Sequence, residues 1–533
     1  MKTTYIKLIA FLCIGTFFVS CSKTKEQKEF TTAEYEAAAA QMDNGLNDLV
    51  YNQVSEITFT DSTNFRYATN TKDGKKYIMV DAISKTKKTV LDPKKLVEST
   101  SKESKKALKN ESISPNGKLA AYIDTYNLWV RDLETDKKTQ LTFDGIQDYG
   151  YATNNAGWVK SDGAVLKWSP NSDKIATFQQ DARGVGMMYL TSTNVGHPTL
   201  EAWKHPLPGD KIIFKIERVI IHLGNKPKTV RLKMDKDFQR GSTTDHIAGR
   251  NSILLDAQWN KEGTKFAFVS GSRDHKIAHL QIADATTGAV ESIHKEEVAT
   301  YYESGVDSEN WSVLFDSNEF IWYSEKSNWG HLYLYDLTSK KLKNQITTGD
   351  WIVKETINID QQNRQIYFKA GGKEEGNPYH NYYYKVNFDG TNLINLTPSK
   401  GTHTATFSSD YSTIVDTYST IKNPPVSVVR NGNGEKIMDL ETADISDLKA
   451  KNWQEPIEFS AKARDNKTDV YGLLFLPSHY DESKKYPVLN YIYPGPQSGS
   501  VGTYNFSPIR RDFQAVSELG FIVVAVDAMG TPM

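Results

Sequence analysis

One strand–turn–strand pattern recurs along the middle of this chain and restricts its fold more than any other feature. An apolar or aromatic strand is followed by a polar turn rich in Asn, Asp or Gly, and then by a second strand. Clear copies occupy 113–122, 168–178 and 259–268, and looser copies occupy 314–322, 359–368 and 406–414. Hairpins that recur at such intervals are typical of propeller blades, because a blade buries the faces of its sheet only against neighbouring blades.

We therefore predict a mainly β protein with a propeller of seven or eight blades over residues 51–445. Abundant Tyr, Phe and Trp (28, 22 and 10 residues) agree with a high content of strand. The interval between the second and third copies is nearly double the others, so 185–250 is either an insertion or a blade of diverged sequence. Tandem β-sandwiches are the alternative, but they fit the recurring strand–turn–strand pattern poorly.

The pattern changes in the last part of the chain, at 446–533. An alternating stretch at 453–461 and a second strand at 470–477 form an antiparallel hairpin. Two continuously apolar runs at 486–493 and 521–527 then flank an amphipathic stretch at 511–519, which predicts a βαβ unit. We interpret 446–533 as the first strands of a truncated α/β-hydrolase domain, with strand 521–527 at an uncovered sheet edge.

The N-terminus has the features of an export signal. Positive charge in residues 1–7 precedes an apolar stretch at 8–19 that is too short to cross a bilayer comfortably, which predicts a signal peptide over 1–20. Cys21 follows Ser20 directly, as in a bacterial lipobox, so we expect Cys21 to be lipidated and to become the mature N-terminus. An ordinary cleaved signal with an incidental Cys is the alternative. Residues 21–50 then form a tether with a short Ala-rich helix, and the protein is expected at the bacterial cell envelope.

Charge and motif content exclude several classes of function. The 64 basic and 65 acidic residues nearly cancel, which gives no electrostatic case for binding nucleic acid. We find no Cys/His metal spacing, Walker loop or GxGxxG motif, so the sequence predicts neither a metal nor a cofactor. Cys13 is the only cysteine besides Cys21, and we expect no disulfide in the mature protein.

The strand and loop at 486–497 (YPVLNYIYPGPQ) and the turn at 527–532 (DAMGTP) carry a family resemblance. Together with the propeller copies, they make the chain similar to the dipeptidyl peptidase IV branch of the prolyl oligopeptidase clan of serine peptidases. By position, the resemblance implies that Tyr493 helps to stabilise the tetrahedral oxyanion. It also implies short peptides as substrates, often cleaved after Pro or Ala. A phenol at the carboxyl end of a parallel strand is physically suited to that role.

The chain departs from this family in its catalytic residues. It contains no Gly-x-Ser-x-Gly elbow, and the nearest string, 498–502 (SGSVG), reads as a flexible loop. We interpret four histidines as surface or blade residues of the propeller rather than as members of a triad: His197, His246, His275 and His403. The 533 residues are therefore expected to be inactive by themselves, because acyl transfer needs a nucleophile, a base and an orienting acid.

A second departure concerns substrate binding. Aminopeptidases of this branch hold the substrate amine with paired glutamates, yet 149–158 contains no acidic residue. The pairs at 296–297 and 374–375 are interpreted as solvated turns, so the substrate-binding residues stay unassigned. The competing hypothesis is a non-catalytic, lipid-anchored propeller that binds peptides or envelope proteins. The sequence leaves the oligomeric state open.

Overall fold

The computed structural model describes residues 29–42, 44–92, 108–153, 161–239, 247–249, 252–303, 309–493 and 499–531. Within those ranges, seven sheets of four or more strands follow one another between residues 54 and 442. We call these sheets the first to seventh blades. They confirm the predicted β-propeller.

The first blade consists of β1 to β4 (Val54–Phe59, Asn64–Thr71, Gly74–Asp81, Thr86–Val90). The second consists of β5 to β8 (Ser112–Ile113, Leu119–Asp124, Asn127–Asp132, Lys138–Gln140). The third contains β9 to β11 (Tyr149–Tyr151, Lys167–Trp168, Lys174–Asp181) and β14 to β16 (Lys215–His222, Lys228–Arg231, Asp237–Phe238). A separate hairpin is formed by β12 and β13 (Met187–Thr191, Leu200–Lys204).

The fourth blade consists of β17 to β20 (Ala257–Trp259, Lys265–Gly271, Ile277–Asp284, Val290–Glu297). The fifth consists of β21 to β24 (Ser312–Leu314, Glu319–Ser324, His331–Asp336, Leu342–Gln345). The sixth consists of β25 to β28 (Ile352–Asp360, Gln365–Gly371, Tyr382–Asn387, Ile394–Asn395). The seventh consists of β29 to β32 (Thr402–Phe407, Thr413–Ser419, Val426–Asn431, Lys436–Thr442).

The recurring sequence landmark has a common structural cause. In the turn between the first two strands of a blade, a side-chain oxygen accepts a hydrogen bond from the backbone N–H five residues later. Ser114, Ser169 and Ser408 each do so through Oγ, at 2.9, 3.0 and 3.0 Å. Asn260 does so through Oδ1 at 2.7 Å. Short polar side chains are favoured there because they satisfy the backbone donor of a tight turn.

Buried apolar clusters join consecutive blades from the second to the seventh. Another cluster joins the seventh blade back to the first, with Phe65 and Tyr67 packed near Val415 and Val429. The Tyr67 hydroxyl also donates a 2.5 Å hydrogen bond to Glu441. The ring therefore closes between its first and last sheets.

In its described residues, region 185–250 contains both an inserted hairpin and strands of the third blade. The hairpin β12–β13 lies between β11 and β14, which pair directly along their whole length. The remaining strands of this region complete the third blade. Several apolar side chains of the hairpin segment are exposed, including Met187, Tyr189, Leu190 and Leu200.

The C-terminal sheet contains β33 to β36 (Ile457–Lys462, Asp469–Phe475, Val488–Tyr491, Ile522–Val526) in the order β33-β34-β36-β35. β35 and β36 are parallel, and helix Phe513–Glu518 lies between them in sequence, which confirms the predicted βαβ unit. The prediction that 521–527 forms the sheet edge is wrong. β36 pairs on both sides, and β35 is the edge strand, with Val488 and Leu489 exposed.

Two further helices precede and follow the propeller in the sequence. Helix Thr32–Ala40 begins with a capping box between Thr31 and Glu34 and lies near helix Phe513–Glu518. Helix Ser446–Ala450 follows the seventh blade and buries Leu448 in a cluster with Phe506. A 3-10 helix, Asn44–Leu49, packs in the same cluster. Another 3-10 turn, Phe315–Ser317, joins β21 to β22.

Candidate functional site

The candidate site lies where β35 and β36 end side by side. These strands run parallel, and Tyr491 is opposite Ala525 in their register. Two residues beyond each of these positions, the chain reaches Tyr493 and Asp527. Both residues therefore leave the sheet at its carboxyl edge, where α/β sheets place functional groups.

Tyr493 is held through its backbone while its ring stays accessible. Its N–H donates a 3.0 Å hydrogen bond to Oγ of Ser500. The side chain is 47% exposed, and its hydroxyl has no hydrogen-bond partner among the described residues. A fixed backbone with a free phenol can present an O–H donor to a reacting group.

Asp527 anchors the loop that contains Ser500. This carboxylate is buried and accepts hydrogen bonds from the N–H of Val501 (3.1 Å) and the hydroxyl of Tyr504 (2.9 Å). Burial, followed by the charge of Asp527, raises the pKa of Tyr504, so this hydroxyl stays a donor. At Gly499, an added Cβ would lie 2.4 Å from Oδ1 of Asp527, so the close approach requires glycine.

The sixth and seventh blades contact this loop directly. The ring of Tyr379 stacks on Tyr504 with centroids 5.2 Å apart and meets Tyr471 edge-on at 6.0 Å. The N–H of Phe506 donates to Oγ of Ser419 at 3.0 Å. The candidate site is thereby connected to the propeller by packing and by hydrogen bonds.

Two basic side chains lie in the same part of the sixth blade. Nζ of Lys354 donates to Oδ1 of Asn381 at 2.7 Å, and burial lowers the pKa of Lys354 to about 7. His380 is buried, and burial also lowers its pKa. Desolvation thus favours the neutral forms of both groups next to the junction.

The stretch 149–158 is where the family would place its amine-binding glutamates, and the structure describes it only up to residue 153. There, Tyr149–Tyr151 forms β9 and pairs with β11. Sequence reasoning missed the acidic residues that neighbouring strands bring close to Tyr149. Glu217 is one of them, and it pairs with Lys236 at 2.7 Å and with Arg231 at 3.0 Å.

Asp181 is a second carboxylate of this network. It accepts from Arg183 at 2.8 Å, and that hydrogen bond holds the pKa of Asp181 well below its usual value. Arg183 lies over the ring of Tyr149, 4.2 Å from its centroid. The acidic side chains near Tyr149 are therefore already neutralised by the protein's own cations.

The interpretation of the two glutamate pairs as solvated turns holds only in part, because 374–375 lie in a turn whereas 296–297 lie in β20. Glu296 lies in β20 and accepts hydrogen bonds from Nε1 of Trp322 (2.8 Å) and Oγ of Ser324 (2.5 Å). Glu374 accepts from the Tyr384 hydroxyl at 2.7 Å. Only Glu297 and Glu375 are exposed, so neither pair presents two free carboxylates.

In the loop predicted to be flexible at 498–502, the described residues 499–502 differ from expectation, because Ser500 is buried and its Oγ accepts from the N–H of Tyr493. His403 is a buried blade residue that contacts Asp416 at 2.7 Å, and His197 is exposed on the inserted hairpin. His275 stacks on Tyr301. His246 lies outside the described residues, as does Cys21.

Over the described ranges, no group of three or more His, Cys, Asp or Glu side chains is arranged to hold a metal ion. Helices in those ranges are also too short or too polar to cross a membrane.

A family model described as the dipeptidyl peptidase IV (DPP IV) N-terminal region matches residues 60–425. The probable dipeptidyl-aminopeptidase B of Aspergillus fumigatus is 26% identical over 456 residues, which cover 78% of this chain and 47% of the fungal protein. The probable dipeptidyl-aminopeptidase B of Botryotinia fuckeliana is 24% identical over 446 residues, which cover 79% of this chain and 47% of the fungal protein. The chain spans about half the length of these curated relatives.

Two solved structures share the fold. Dipeptidyl peptidase 4 of Porphyromonas gingivalis superposes with a TM-score of 0.64 at 19% identity, covering 90% of this chain and 63% of that one. A Bacteroides ovatus chain described as a dipeptidyl aminopeptidase IV superposes with a TM-score of 0.70 at 17% identity. The superposition covers 90% of this chain and 73% of that one. At these identities the likeness establishes the architecture.

Proposed function

Because the chain belongs to the dipeptidyl peptidase IV family, we propose that it forms the propeller and the oxyanion side of a serine exopeptidase acting on short peptides. The observation that carries this proposal is the arrangement of Tyr493. Its backbone is fixed by Ser500 at the carboxyl edge of the C-terminal sheet, and its hydroxyl is unpartnered in the described residues.

The chemical role of Tyr493 follows from where charge develops during acyl transfer. When a serine attacks the scissile carbonyl, the carbonyl oxygen becomes an oxyanion. A preorganised O–H donor stabilises that charge more than it stabilises the neutral carbonyl, so it lowers the barrier instead of tightening ground-state binding. One such donor typically contributes about 10²- to 10³-fold in kcat.

We propose that the nucleophile lies outside these 533 residues. Their sequence contains no Gly-x-Ser-x-Gly string, and the described histidines lie in the propeller or on the surface. We therefore propose that the activity belongs to the protein encoded by the complete reading frame. The 533 residues alone are expected to bind peptides without hydrolysing them.

The propeller would admit short peptides and exclude folded proteins, and cleavage after Pro or Ala is the specificity that the family suggests. Recognition of a free N-terminus is less well supported. Glu217 and Asp181, close to Tyr149, are already paired with Lys236, Arg231 and Arg183. A substrate ammonium would have to displace one of these cations.

A non-catalytic binding module is the competing proposal. The closed ring of blades favours it, whereas the exposed edge strand β35 argues against it. Val488, Leu489 and Ile492 are exposed along or just beyond that edge, and a selected binding module is expected to cover or remove such a surface.

We further propose that the protein is exported and anchored at the cell envelope through a lipid on Cys21, on the strength of the sequence pattern at 1–21. Metabolic labelling with radioactive palmitate tests this. Label is expected in the wild type and absent from Cys21→Ala. Labelling of both proteins, or of neither, would contradict the proposal.

Hydrolysis of Ala-Pro-p-nitroanilide by the protein expressed from its complete reading frame tests the peptidase proposal. We expect release of p-nitroaniline that a serine-directed organophosphate abolishes, and none from the 533 residues alone. Comparison with N-acetyl-Ala-Pro-p-nitroanilide shows whether a free amine is required. Peptide binding without hydrolysis by the complete protein would favour the binding module.

A further inference from the structure

Ser500 occupies an unusual position for a serine in a polar loop. It is 3% exposed, and its Oγ accepts the hydrogen bond from the Tyr493 N–H at 3.0 Å. The two residues are seven positions apart in the sequence.

The Tyr493 N–H has no ladder partner, because β35 ends at Tyr491. Without the Ser500 hydroxyl, this donor would lose its hydrogen-bond partner among the described residues, and the peptide plane before Tyr493 could rotate. A rotation there moves the whole side chain, and the phenol oxygen moves furthest because it lies at the far end of the ring.

The backbone next to Ser500 is fixed by hydrogen bonds that lead to β36 and to the propeller. The next residue, Val501, donates its N–H to Oδ1 of Asp527 at 3.1 Å. Oδ2 of Asp527 accepts from Tyr504, whose ring stacks on Tyr379 of the propeller. The Oγ acceptor is thus attached to the end of β36 and, through Tyr504, to the sixth blade.

We propose that Ser500 is a positioning residue that fixes the Tyr493 hydroxyl where an oxyanion would form. This inference rests on the proposed function. In this proposal, Ser500 does not contact the substrate and acts only through the backbone of Tyr493. A misplacement of about 1 Å at a catalytic group can cost up to about 10²-fold in rate, so loss of a single acceptor can be measurable.

A double-mutant cycle in the protein from the complete reading frame tests the proposal, with Ala-Pro-p-nitroanilide as substrate. Ser500→Ala is expected to lower kcat about 10-fold with KM little changed. In the Tyr493→Phe background, Ser500→Ala is expected to lower kcat no further, because the hydroxyl that it positions is already absent. Ser483→Ala, an exposed serine of the same domain, is the matched control and should leave kcat unchanged.

An equal fold-loss from Ser500→Ala in both backgrounds would overturn the proposal, since a purely structural effect does not depend on the Tyr493 hydroxyl. An unchanged kcat in Ser500→Ala would overturn it as well. If Tyr493→Phe itself leaves kcat unchanged, the oxyanion role in the proposed function fails instead. The two failures are therefore distinguishable.

Discussion

The ring of Tyr379 stacks on Tyr504 across the junction between the propeller and the C-terminal sheet, with centroids 5.2 Å apart and planes inclined by 25°. Tyr504 in turn donates its hydroxyl to Asp527 at the end of β36. One aromatic contact thus connects the sixth blade to the residues that surround the candidate site.

Replacing Tyr379 with Ala removes this stacking and the edge-on contact with Tyr471. We expect the free energy of unfolding to fall by about 2–4 kcal/mol, since both packing and apolar burial are lost. Tyr379→Phe keeps the ring and should cost less than about 1 kcal/mol. Urea denaturation measures both variants, and equal losses in the two would show that the ring contact is not what matters.

Closure of the propeller depends on Tyr67 and Glu441. Tyr67 is fully buried, and its hydroxyl donates to Glu441 between the first and seventh blades. Tyr67→Phe leaves Glu441 with the more distant Lys87 at 3.6 Å, so we expect a loss of about 1–3 kcal/mol in the free energy of unfolding. Tyr126→Phe, an exposed tyrosine of the second blade, should change stability by less than about 0.5 kcal/mol. Similar values for both variants would argue against this closure contact.

The partly buried ring of His294 makes the free energy of unfolding depend on pH. Its ring lies among Phe320, Trp322 and Tyr335, its Nε2 is buried without a partner in the described structure, and burial lowers its pKa from 6.5 to about 4. Between about pH 4 and pH 6.5, the unfolded chain therefore binds a proton at His294 more readily than the folded chain does. Stability contributed by neutral His294 is present above about pH 6.5 and is lost as pH falls towards 4.

Thermal midpoints recorded from pH 7 to pH 4 test this dependence. His294→Phe is expected to reduce the decline, with a difference from wild type of at most about 3 kcal/mol at pH 4. His197→Phe is the control, because His197 is exposed on the inserted hairpin and should leave the slope unchanged. An unaltered slope in His294→Phe would contradict the assignment.

The propeller was predictable because each blade repeats one local solution. A serine or asparagine oxygen, as in Ser169 and Asn260, satisfies the same backbone donor in each tight turn and so leaves a mark in the sequence. The order of the C-terminal strands was not predictable in this way. Periodicity identifies a strand but does not say which strands pair with it, and β36 was therefore wrongly assigned to the edge.

Contacts between distant residues account for the other differences. Ser500 reads as part of a flexible Gly/Ser loop, yet its Oγ accepts from the N–H of Tyr493, and the N–H of the next residue donates to Asp527. Glu296 reads as a solvated charge, yet Trp322 and Ser324 from the next blade donate to it. No local pattern of polar residues reveals such partners, because they arise only when separate elements pack together.

The kcat of Tyr493→Phe, in the protein expressed from its complete reading frame, tests the central claim most directly. The substitution removes only a hydroxyl from an accessible ring, so folding should be unaffected. We predict a kcat lower by about 10²- to 10³-fold with KM nearly unchanged, because the lost hydrogen bond would form only in the transition state. Tyr480→Phe, an exposed tyrosine of the same domain, should retain wild-type activity. A Tyr493→Phe protein with wild-type kcat would contradict the account.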